Sequence, residues 1–286
     1  MNVGSATLLM SCPDQKGLVA AVTQFIFQHG GNILHLDQHV DAEAGVFFMR
    51  VEWDMTAFGL NREEVAQAFG LNVGKRFNMD WILRFSDQIP RMALFVSKQS
   101  HCLYDLLGRW QSGDWKVEIP LIVSNHKSLK PVADSFGIPF FAFDINASNK
   151  AEQEAVQIAL VKEHRADFVV LARYMQILTG RFIAAFPNQI INIHHSFLPA
   201  FAGAKPYHAA YARGVKLIGA TSHYVTEDLD AGPIIAQDVL QVNHKDSVAD
   251  LVRKGQDVEK LVLAQAVWHH LNNRVLVYNN KTVVFT

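Results

Sequence analysis

The sequence predicts two α/β domains of different design. Residues 1–85 read as strand, helix, strand, strand, helix, strand, which is the βαββαβ order of ferredoxin-like domains. From Arg91 onward, apolar strands alternate with helical stretches, which indicates a doubly wound, mostly parallel, Rossmann-like sheet over residues 91–286. Residues 86–90 are short, mostly polar and end in a proline, so we interpret them as a linker.

In the first domain, apolar runs separated by turn residues predict four strands. Apolar residues at helical spacing indicate two helices, with Asp14 available as the N-cap of the first and Gly30-Gly31 as its end. A polar turn over residues 41–45 predicts that the second and third strands form a hairpin. The predicted elements are strand Ala6–Cys12, a helix starting in PDQKGL, strands Asn32–Val40 and Val46–Trp53, helix Asn61–Phe77 and strand Asp80–Phe85.

The second domain contains six apolar strands and several helices, followed by a helix and a hairpin. The strands are Met92–Val96, Val117–Val123, Pro139–Phe143, Phe168–Leu171, Ile190–His194 and Leu217–Tyr224. The helices include Leu103–Gln111, Lys150–His164, Leu178–Phe186 and Ser247–Leu271, and the last strands are Arg274–Tyr278 and Lys281–Phe285. Ligands of such sheets bind beyond the carboxyl ends of the strands, so functional residues are expected there.

Composition excludes several classes of function. The chain of 286 residues carries 26 Lys+Arg against 27 Asp+Glu, which gives no support to binding of nucleic acid or of an anionic membrane. No apolar run reaches the ~18 residues that cross a bilayer, and the N-terminus lacks the features of a secretory signal. Cys12 and Cys102 are isolated thiols, which fit a reducing compartment. We therefore expect a cytoplasmic protein.

Two polar side chains share one face of the strand that ends in INIHHSFLP. Strand alternation places Asn192 and His194 on the same face and His195 on the other. The next strand places Thr221 and His223 together, and the polar turn after it carries Asp230 into Gly232-Pro233. Each of these residues alone would be read as a turn former or a structural histidine. Together, an amide, imidazoles and a carboxylate at strand ends indicate a catalytic site.

This combination resembles the folate-dependent formyl transferases and hydrolases, which share Asn-x-His on one strand and a Thr-x-His…Asp-x-Gly-Pro segment after it. The resemblance implies that Asn192, His194 and Asp230 are catalytic, with Thr221 and His223 supporting Asp230. Attack on a formyl group creates an oxyanion, which the Asn192 amide and a protonated His194 could stabilise, while Asp230 acts as general base. The roles of His194 and Asp230 stay open, because neighbouring groups titrate as a pair.

Other strand ends are expected to converge on the same edge of the sheet. Ser124 and Asn125 follow the second strand of the domain, and the segment LARYMQIL follows the fourth. In the formyl transferase family this segment lines the pocket for the pterin ring, which implies folate contacts for Arg173, Met175 and Leu178. The alternative is that Met175 and Leu178 are helix-core residues.

The sequence gives no sign of a bound cofactor or metal. It lacks the GxGxxG and GxxxxGK[ST] nucleotide fingerprints. The histidines His194, His195, His208 and His223 follow no known zinc spacing, so we expect no metal site. We expect 10-formyltetrahydrofolate as substrate and no tightly bound cofactor.

The first domain resembles the ACT domain, a regulatory module that binds amino acids. The matching features are Asp14 to Leu18 after the first strand and the segment Gly30-Gly31-Asn32. The resemblance implies an effector site at Asp14, Gly17 and Asn32, for an amino acid such as glycine or methionine. The alternative is that Gly17 and Gly30 only shape turns.

The acceptor of the formyl group separates the possible activities. Glycinamide-ribonucleotide transformylases bind a phosphate with a glycine-rich loop after the first strand. At this place the present chain has residues 97–102, which contain no glycine. Lys98 could still attract a phosphate. Methionyl-tRNA formyltransferases carry a further nucleic-acid-binding barrel, which this sequence does not continue into. Water remains as the acceptor.

The order of an ACT-like module, a short linker and a formyl transferase domain resembles the 10-formyltetrahydrofolate deformylases. The resemblance implies hydrolysis to formate and tetrahydrofolate, a supply of formate for purine synthesis, control of the one-carbon folate pool, and a homo-oligomer, with a tetramer favoured. Two alternatives stay open: a formyl transferase with another amine acceptor, and a folate- or amino-acid-binding regulator without catalysis.

Overall fold

A computed structural model describes residues 4–199 and 206–286. The chain divides into two compact units. The first comprises residues 1–89, 272–278 and 283–286, and the second comprises residues 90–271 and 279–282. No helix within the described ranges is long and apolar enough to cross a bilayer.

The first unit contains a four-stranded antiparallel sheet and two helices in the predicted βαββαβ order. Its elements are β1 Ser5–Pro13, α1 Leu18–Gln28, β2 Asn32–Asp41, β3 Val46–Asp54, α2 Arg62–Phe69 and β4 Asp80–Phe85. The strand order is β2-β3-β1-β4. This order confirms the predicted ferredoxin-like topology. The buried positions of β1 and β3 pack against the apolar stripe of α1 and form the core.

Two predictions about the helices of this unit are wrong. Asp14 is not the N-cap of α1; the helix starts at Leu18 after Gly17, whose φ of 92° is one that glycine adopts without strain. The second helix is shorter than predicted, because α2 ends at Phe69 and a π-helical turn follows over Gly70–Gly74. Glycine is a poor helix former, and a Cβ on Gly74 would lie 2.9 Å from Nε1 of Trp81.

The second unit contains a seven-stranded sheet. Its strands are β5 Arg91–Val96, β6 Glu118–Ser124, β7 Phe140–Ala142, β8 Phe168–Ala172, β9 Ile190–His194, β10 Leu217–Tyr224 and β11 Ile234–Gln241. Its helices are α3 His101–Gln111, α4 Lys130–Ser135, α5 Lys150–Glu163, α6 Gly180–Ala185, α7 Pro206–Arg213 and α8 Val248–Leu271. Outside this sheet, the short strand β12 Val275–Tyr278, which belongs to the first unit, pairs with β13 Lys281–Val284.

The large sheet has the order β11-β10-β9-β8-β5-β6-β7. Strands β5 to β9 are mutually parallel where they pair, which confirms the predicted doubly wound sheet. Strand β10 runs antiparallel to β9, and β11 runs antiparallel to β10. Strand β11 was not predicted, although its Ile-Ile start directly after Gly232-Pro233 is a strand signal.

Candidate active site

The carboxyl end of β9 holds the first two predicted catalytic residues. Antiparallel pairing with β10 sets Asn192 opposite His223 and His194 opposite Thr221. Because paired residues of antiparallel strands point to the same side of the sheet, this register brings the two motifs of the sequence together on one face. His194 and His223 are almost fully buried, so their ring nitrogens have little access to water.

Asp230 reaches this strand pair from the loop between β10 and β11. The loop closes tightly, since Tyr224 N donates to Pro233 O at 2.9 Å. A Cβ on Gly232 would lie 1.8 Å from Tyr224 O, so only glycine fits that position. Asp230 itself has a φ of 54°, in the left-handed region that non-glycine residues seldom adopt. The loop thus fixes the carboxylate against two histidines.

The Asp230 carboxylate lies between His194 and His223. Its Oδ2 atom is 3.1 Å from Nδ1 of His194, and its Oδ1 atom is 3.7 Å from Nε2 of His223, which is beyond hydrogen-bond length. The hydrogen bond from His194 holds the pKa of Asp230 well below its usual range despite partial burial. Asp230 is therefore a carboxylate at neutral pH.

The contact with Asp230 leaves one nitrogen of His194 unused. His194 Nδ1 carries the proton that it donates to Asp230, while its Nε2 atom is buried and has no hydrogen-bond partner among the described residues. A buried nitrogen without a partner is costly unless a ligand or water uses it. Asp230 therefore orients the imidazole of His194 and leaves its Nε2 atom unpaired among the described residues.

Asn192 and His223 fix each other's orientation. His223 Nδ1 donates to the backbone oxygen of Tyr224 at 2.9 Å, so its Nε2 atom can accept a hydrogen bond from Asn192 Nδ2 at 3.3 Å. This tautomer uses one N–H of the Asn192 amide, and no acceptor for the second N–H lies among the described residues. Such a free amide N–H is the kind of donor that stabilises an oxyanion.

Thr221 supports a different segment from the one predicted. Its hydroxyl donates to Ser196 O at 2.9 Å and accepts from Leu198 N at 3.0 Å and from Gln237 Nε2 at 2.9 Å. These bonds hold the chain after His194 against β10. Thr221 therefore orders the residues that follow β9, and His223 is the supporting residue that approaches Asp230.

The ends of β5, β6 and β8 meet at the same edge of the sheet, as predicted. Ser97, directly after β5, donates its hydroxyl proton to Asn125 Oδ1 at 2.6 Å and accepts from Met175 N at 2.9 Å. Ser124 Oγ accepts from His126 N at 3.0 Å, which shapes the loop after β6. Ser97 was not predicted as a site residue, although it lies one residue beyond an apolar strand.

Buried polar side chains of α5 form hydrogen bonds with the segment after β8. Glu154 accepts hydrogen bonds from both the backbone N–H and the hydroxyl of Thr179, and Gln157 Nε2 donates to Tyr174 Oη at 3.3 Å. Leu178 is buried in the core, whereas Met175 is 53% exposed. Of these two predicted folate contacts, Met175 is the one whose side chain is open to a ligand.

Arg173 lies in a buried network around Glu259 of α8. The Glu259 carboxylate accepts from Tyr207 Oη at 2.6 Å and from His101 Nε2 at 2.8 Å, and lies 3.3 Å from Arg173 Nε. Burial alone would raise the pKa of Glu259, but the bond from His101 and the charge of Arg173 hold it below its usual value. Neither Glu259 nor Tyr207 was predicted; an acid on the apolar stripe of α8 was the available signal.

Strand alternation gave the wrong relation between His194 and His195. The sequence predicts that they lie on opposite faces, yet their rings stack with centroids 5.2 Å apart and planes at 21°. The regular strand ends at His194, so the alternation no longer applies to His195. Arg173 Nη1 donates to His195 Nδ1.

One group of side chains in the described ranges has ligand atoms close enough to share a metal ion. His101, Cys102 and Glu259 have ligand atoms within 4.8 Å of one another. Glu259 is already paired with Arg173, and burial raises the pKa of the Cys102 thiol far above its usual value. A protonated thiol and a neighbouring guanidinium make this a poor site for a cation. His208, considered above as a ligand, is exposed on α7.

The predicted effector residues lie in the first unit. A pocket of about 400 Å³ lies at the start of α1, and two of the predicted residues, Asp14 and Gly17, line it. The rest of its lining is Gln15, Leu18, Val19, Ala20, Gln38, Val40 and Phe47. Asn32, the third predicted residue, is exposed at the start of β2.

Comparison with known proteins assigns a family to each part of the chain. The formyl transferase family model matches residues 90–267, and the ACT domain model matches residues 6–54. The chain is 57% identical over 281 residues to the formyltetrahydrofolate deformylase of Synechocystis sp., covering 98% of both chains. It is 48% identical to that of Bacillus subtilis, covering 99% of this chain and 95% of the relative.

Solved structures give the same assignment. A formyltetrahydrofolate deformylase from Pseudomonas syringae pv. tomato superposes with a TM-score of 0.97 at 46% identity, covering 100% of this chain and 96% of that one. A glycinamide ribonucleotide transformylase from Symbiobacterium toebii superposes with a TM-score of 0.65 at 27% identity, covering 71% of this chain and 97% of that one.

Proposed function

The chain belongs to the formyltetrahydrofolate deformylases, and from this premise we propose that it hydrolyses 10-formyltetrahydrofolate to formate and tetrahydrofolate. The observation that carries the proposal is the His194–Asp230 pair. Its carboxylate orients the imidazole, and the buried Nε2 atom of His194 has no partner among the described residues. This is the geometry of a histidine that exchanges a proton with a bound substrate.

The first step adds water to the formyl carbon. The water oxygen bonds to that carbon, the carbonyl electron pair moves to oxygen, and one water proton passes to His194 Nε2. Asp230, with its lowered pKa, is a weak base by itself, so it acts by holding His194 and balancing the charge that His194 gains. The second N–H of Asn192 donates to the new oxyanion.

The second step breaks the carbon–nitrogen bond. The electron pair of that bond goes to N10 of the folate, which receives the proton from His194. The products are tetrahydrofolate and formic acid, which ionises to formate. The His194–Asp230 pair returns to its starting state, so the cycle needs no redox cofactor and no metal.

The folate binds over the ends of β6 and β8 in this proposal. Met175 is open to a ligand, while Ser97 ties the backbone of Met175 to Asn125 across the sheet edge. Ser124 shapes the neighbouring loop, and Leu178 supports the segment from the core. Residues 97–102 contain no glycine to cradle the phosphate of an amine acceptor, which supports water as the acceptor.

The first unit binds an amino-acid effector in this proposal. No side chain caps the start of α1, and the first helical residues, Leu18 to Ala20, line the pocket together with Asp14 and Gly17. A helix N-terminus attracts the carboxylate of an amino acid, and the Asp14 carboxylate attracts its ammonium group. Glycine and methionine are the candidate effectors. We propose further that the protein is a cytoplasmic homo-oligomer, with a tetramer favoured. In the cell it would supply formate for purine synthesis and balance the one-carbon folate pool.

Formate release by the purified chain from 10-formyltetrahydrofolate, without any amine, tests the proposal. We expect formate and tetrahydrofolate in equal amounts, and no release by His194→Ala prepared in the same way. Tight folate binding without release would contradict hydrolysis. Release that depends on an added amine would instead establish a transferase.

A further inference from the structure

We propose that Arg173 and His195 are positioning residues for His194, anchored by Glu259, and that Arg173 acts on the reaction through His195 rather than by contact with the folate. The inference rests on the proposed hydrolysis and assigns part of its machinery. It starts from three facts: Arg173 is buried, its guanidinium contacts protein groups, and one of these groups stacks on the catalytic imidazole.

Glu259 anchors the network from α8. It is 1% exposed, and its carboxylate accepts hydrogen bonds from α3 and α7 and pairs with the guanidinium of Arg173 at the end of β8. A buried carboxylate persists only when such donors satisfy it. Gly255, one turn earlier on α8, provides the space for this arrangement, because a Cβ there would lie 2.1 Å from Tyr207 Oη.

Arg173, held by this network, orients the ring of His195 through a hydrogen bond. Its Nε atom donates to Gln99 Oε1 at 2.9 Å and faces Glu259 at 3.3 Å, so the guanidinium plane is fixed. An arginine always carries its protons, so Nη1 donates and His195 Nδ1 accepts. This hydrogen bond requires a neutral His195 with its proton on Nε2.

A neutral His195 matters because its ring lies on His194. The two rings are 5.2 Å apart and nearly parallel. His194 becomes an imidazolium when it takes the proton from water, and a second imidazolium against its face would oppose that step. Arg173 keeps the charge of the pair on one ring, and the stacked face of His195 restrains the ring plane of His194.

The test separates positioning from folate binding through kcat and KM. Arg173→Lys keeps the charge but loses the fork that reaches Gln99 and His195 together. We expect its kcat to fall about 10-fold or more, as for a misoriented catalytic group, with KM for 10-formyltetrahydrofolate changed less than about 3-fold. Arg109→Lys is the matched control, because Arg109 is a partly buried arginine of α3 that pairs with Asp105. A raised KM with unchanged kcat would overturn the proposal in favour of a folate contact.

Two variants of His195 test the relay between the residues. His195→Gln keeps an acceptor for Arg173 without the ring, and His195→Phe keeps a ring without the acceptor. We expect both variants to lower kcat. The double variant, Arg173→Lys with His195→Gln, should be at most about 2-fold slower than His195→Gln alone. Losses that multiply in the double variant would show independent roles and overturn the relay.

Nitrogen NMR of ¹⁵N-histidine-labelled wild-type protein tests the tautomer without depending on the folding of a variant. His195, assigned by the signal lost in His195→Gln, should show a neutral ring protonated on Nε2 at pH 7. An imidazolium, or a proton on Nδ1, would overturn the proposal. A wild-type protein that releases no formate would contradict the proposed function, whereas the NMR result stands independently of turnover.

Discussion

At the scale of single residues, two side chains of the site sit on unusual backbone. Arg173 has a φ of 62° and Asp230 a φ of 54°, both in the left-handed region. Such conformations cost of order 1 kcal/mol or more for ordinary residues, so they persist where surrounding contacts demand them. In both cases the side chain ends in an ion-pair network, which indicates that the backbone is shaped to deliver that side chain.

Replacing Asp230 with asparagine removes the charge while preserving this backbone, because asparagine tolerates left-handed φ. We expect Asp230→Asn to bind folate with near wild-type affinity and to lose at least ~10²-fold in kcat, since His194 loses the carboxylate that orients it and balances its charge. Steady-state kinetics and calorimetric titration with a folate measure the two properties.

The control is Asp228→Asn, an exposed carboxylate two residues earlier in the same loop. It should retain wild-type kcat. Full activity in Asp230→Asn would remove Asp230 from the mechanism, and loss of folate binding together with kcat would point to a collapsed loop.

At the scale of elements, α8 contributes two residues that pack against Tyr207 in the buried network around Arg173. Gly255 and Glu259 are four residues apart and lie on the same face of α8, toward Tyr207. A glycine within a helix costs about 1 kcal/mol relative to alanine, so it is kept where a side chain would collide. The space above Gly255 is filled by the Tyr207 ring.

We therefore expect Gly255→Ala to lower both the stability and the kcat of the protein, because the new methyl group displaces Tyr207 from Glu259. Gly108 on α3 is the matched control, since it is an exposed helical glycine with nothing within 4 Å of an added Cβ. Gly108→Ala should raise the free energy of unfolding by up to about 1 kcal/mol. Urea unfolding and formate release measure both variants; equal stabilisation by the two alanines would contradict the steric explanation.

The regular elements were predictable where local pattern determines them. Strand β9 was predicted with its bounds, because an apolar run of fixed period leads into Asn192 and His194. The pattern fails where regularity ends: alternation separated His194 from His195, whereas the chain turns after His194 and stacks the rings. The run from Asn61 looked like one helix, and tight packing at Gly74 against Trp81 interrupts it.

At the scale of the whole molecule, motif residues were predictable and their remote partners were not. Asn192, His194 and Asp230 stand in a recognisable motif, and the sheet brings them together. Glu259 and Gln99 are ordinary residues in sequence, and their contacts with Arg173 depend on how α8 and the loop after β5 pack in three dimensions. No local period encodes such contacts between residues 74 or more positions apart.

The effector pocket gives a prediction that involves the whole chain. If methionine or glycine binds at Asp14, ligand binding stabilises the folded state by mass action, about 2.7 kcal/mol at a hundred times its dissociation constant. We expect millimolar methionine or glycine to raise the melting temperature by a few degrees. Asp14→Asn should abolish this shift because the ammonium group loses its counter-charge, while Glu43→Gln, an exposed acid outside the pocket, should retain it.

Coupling between effector binding and folate binding must be reciprocal in free energy. An effector that changes the affinity for folate by a given factor has its own affinity changed by the same factor when folate is bound. Calorimetric titration of the effector with and without a saturating folate, set beside titration of the folate with and without effector, should therefore give one factor twice. Equal factors different from one would establish the first unit as a regulator of the second, and factors of one in both titrations would leave the amino acid as a ligand without control over folate binding.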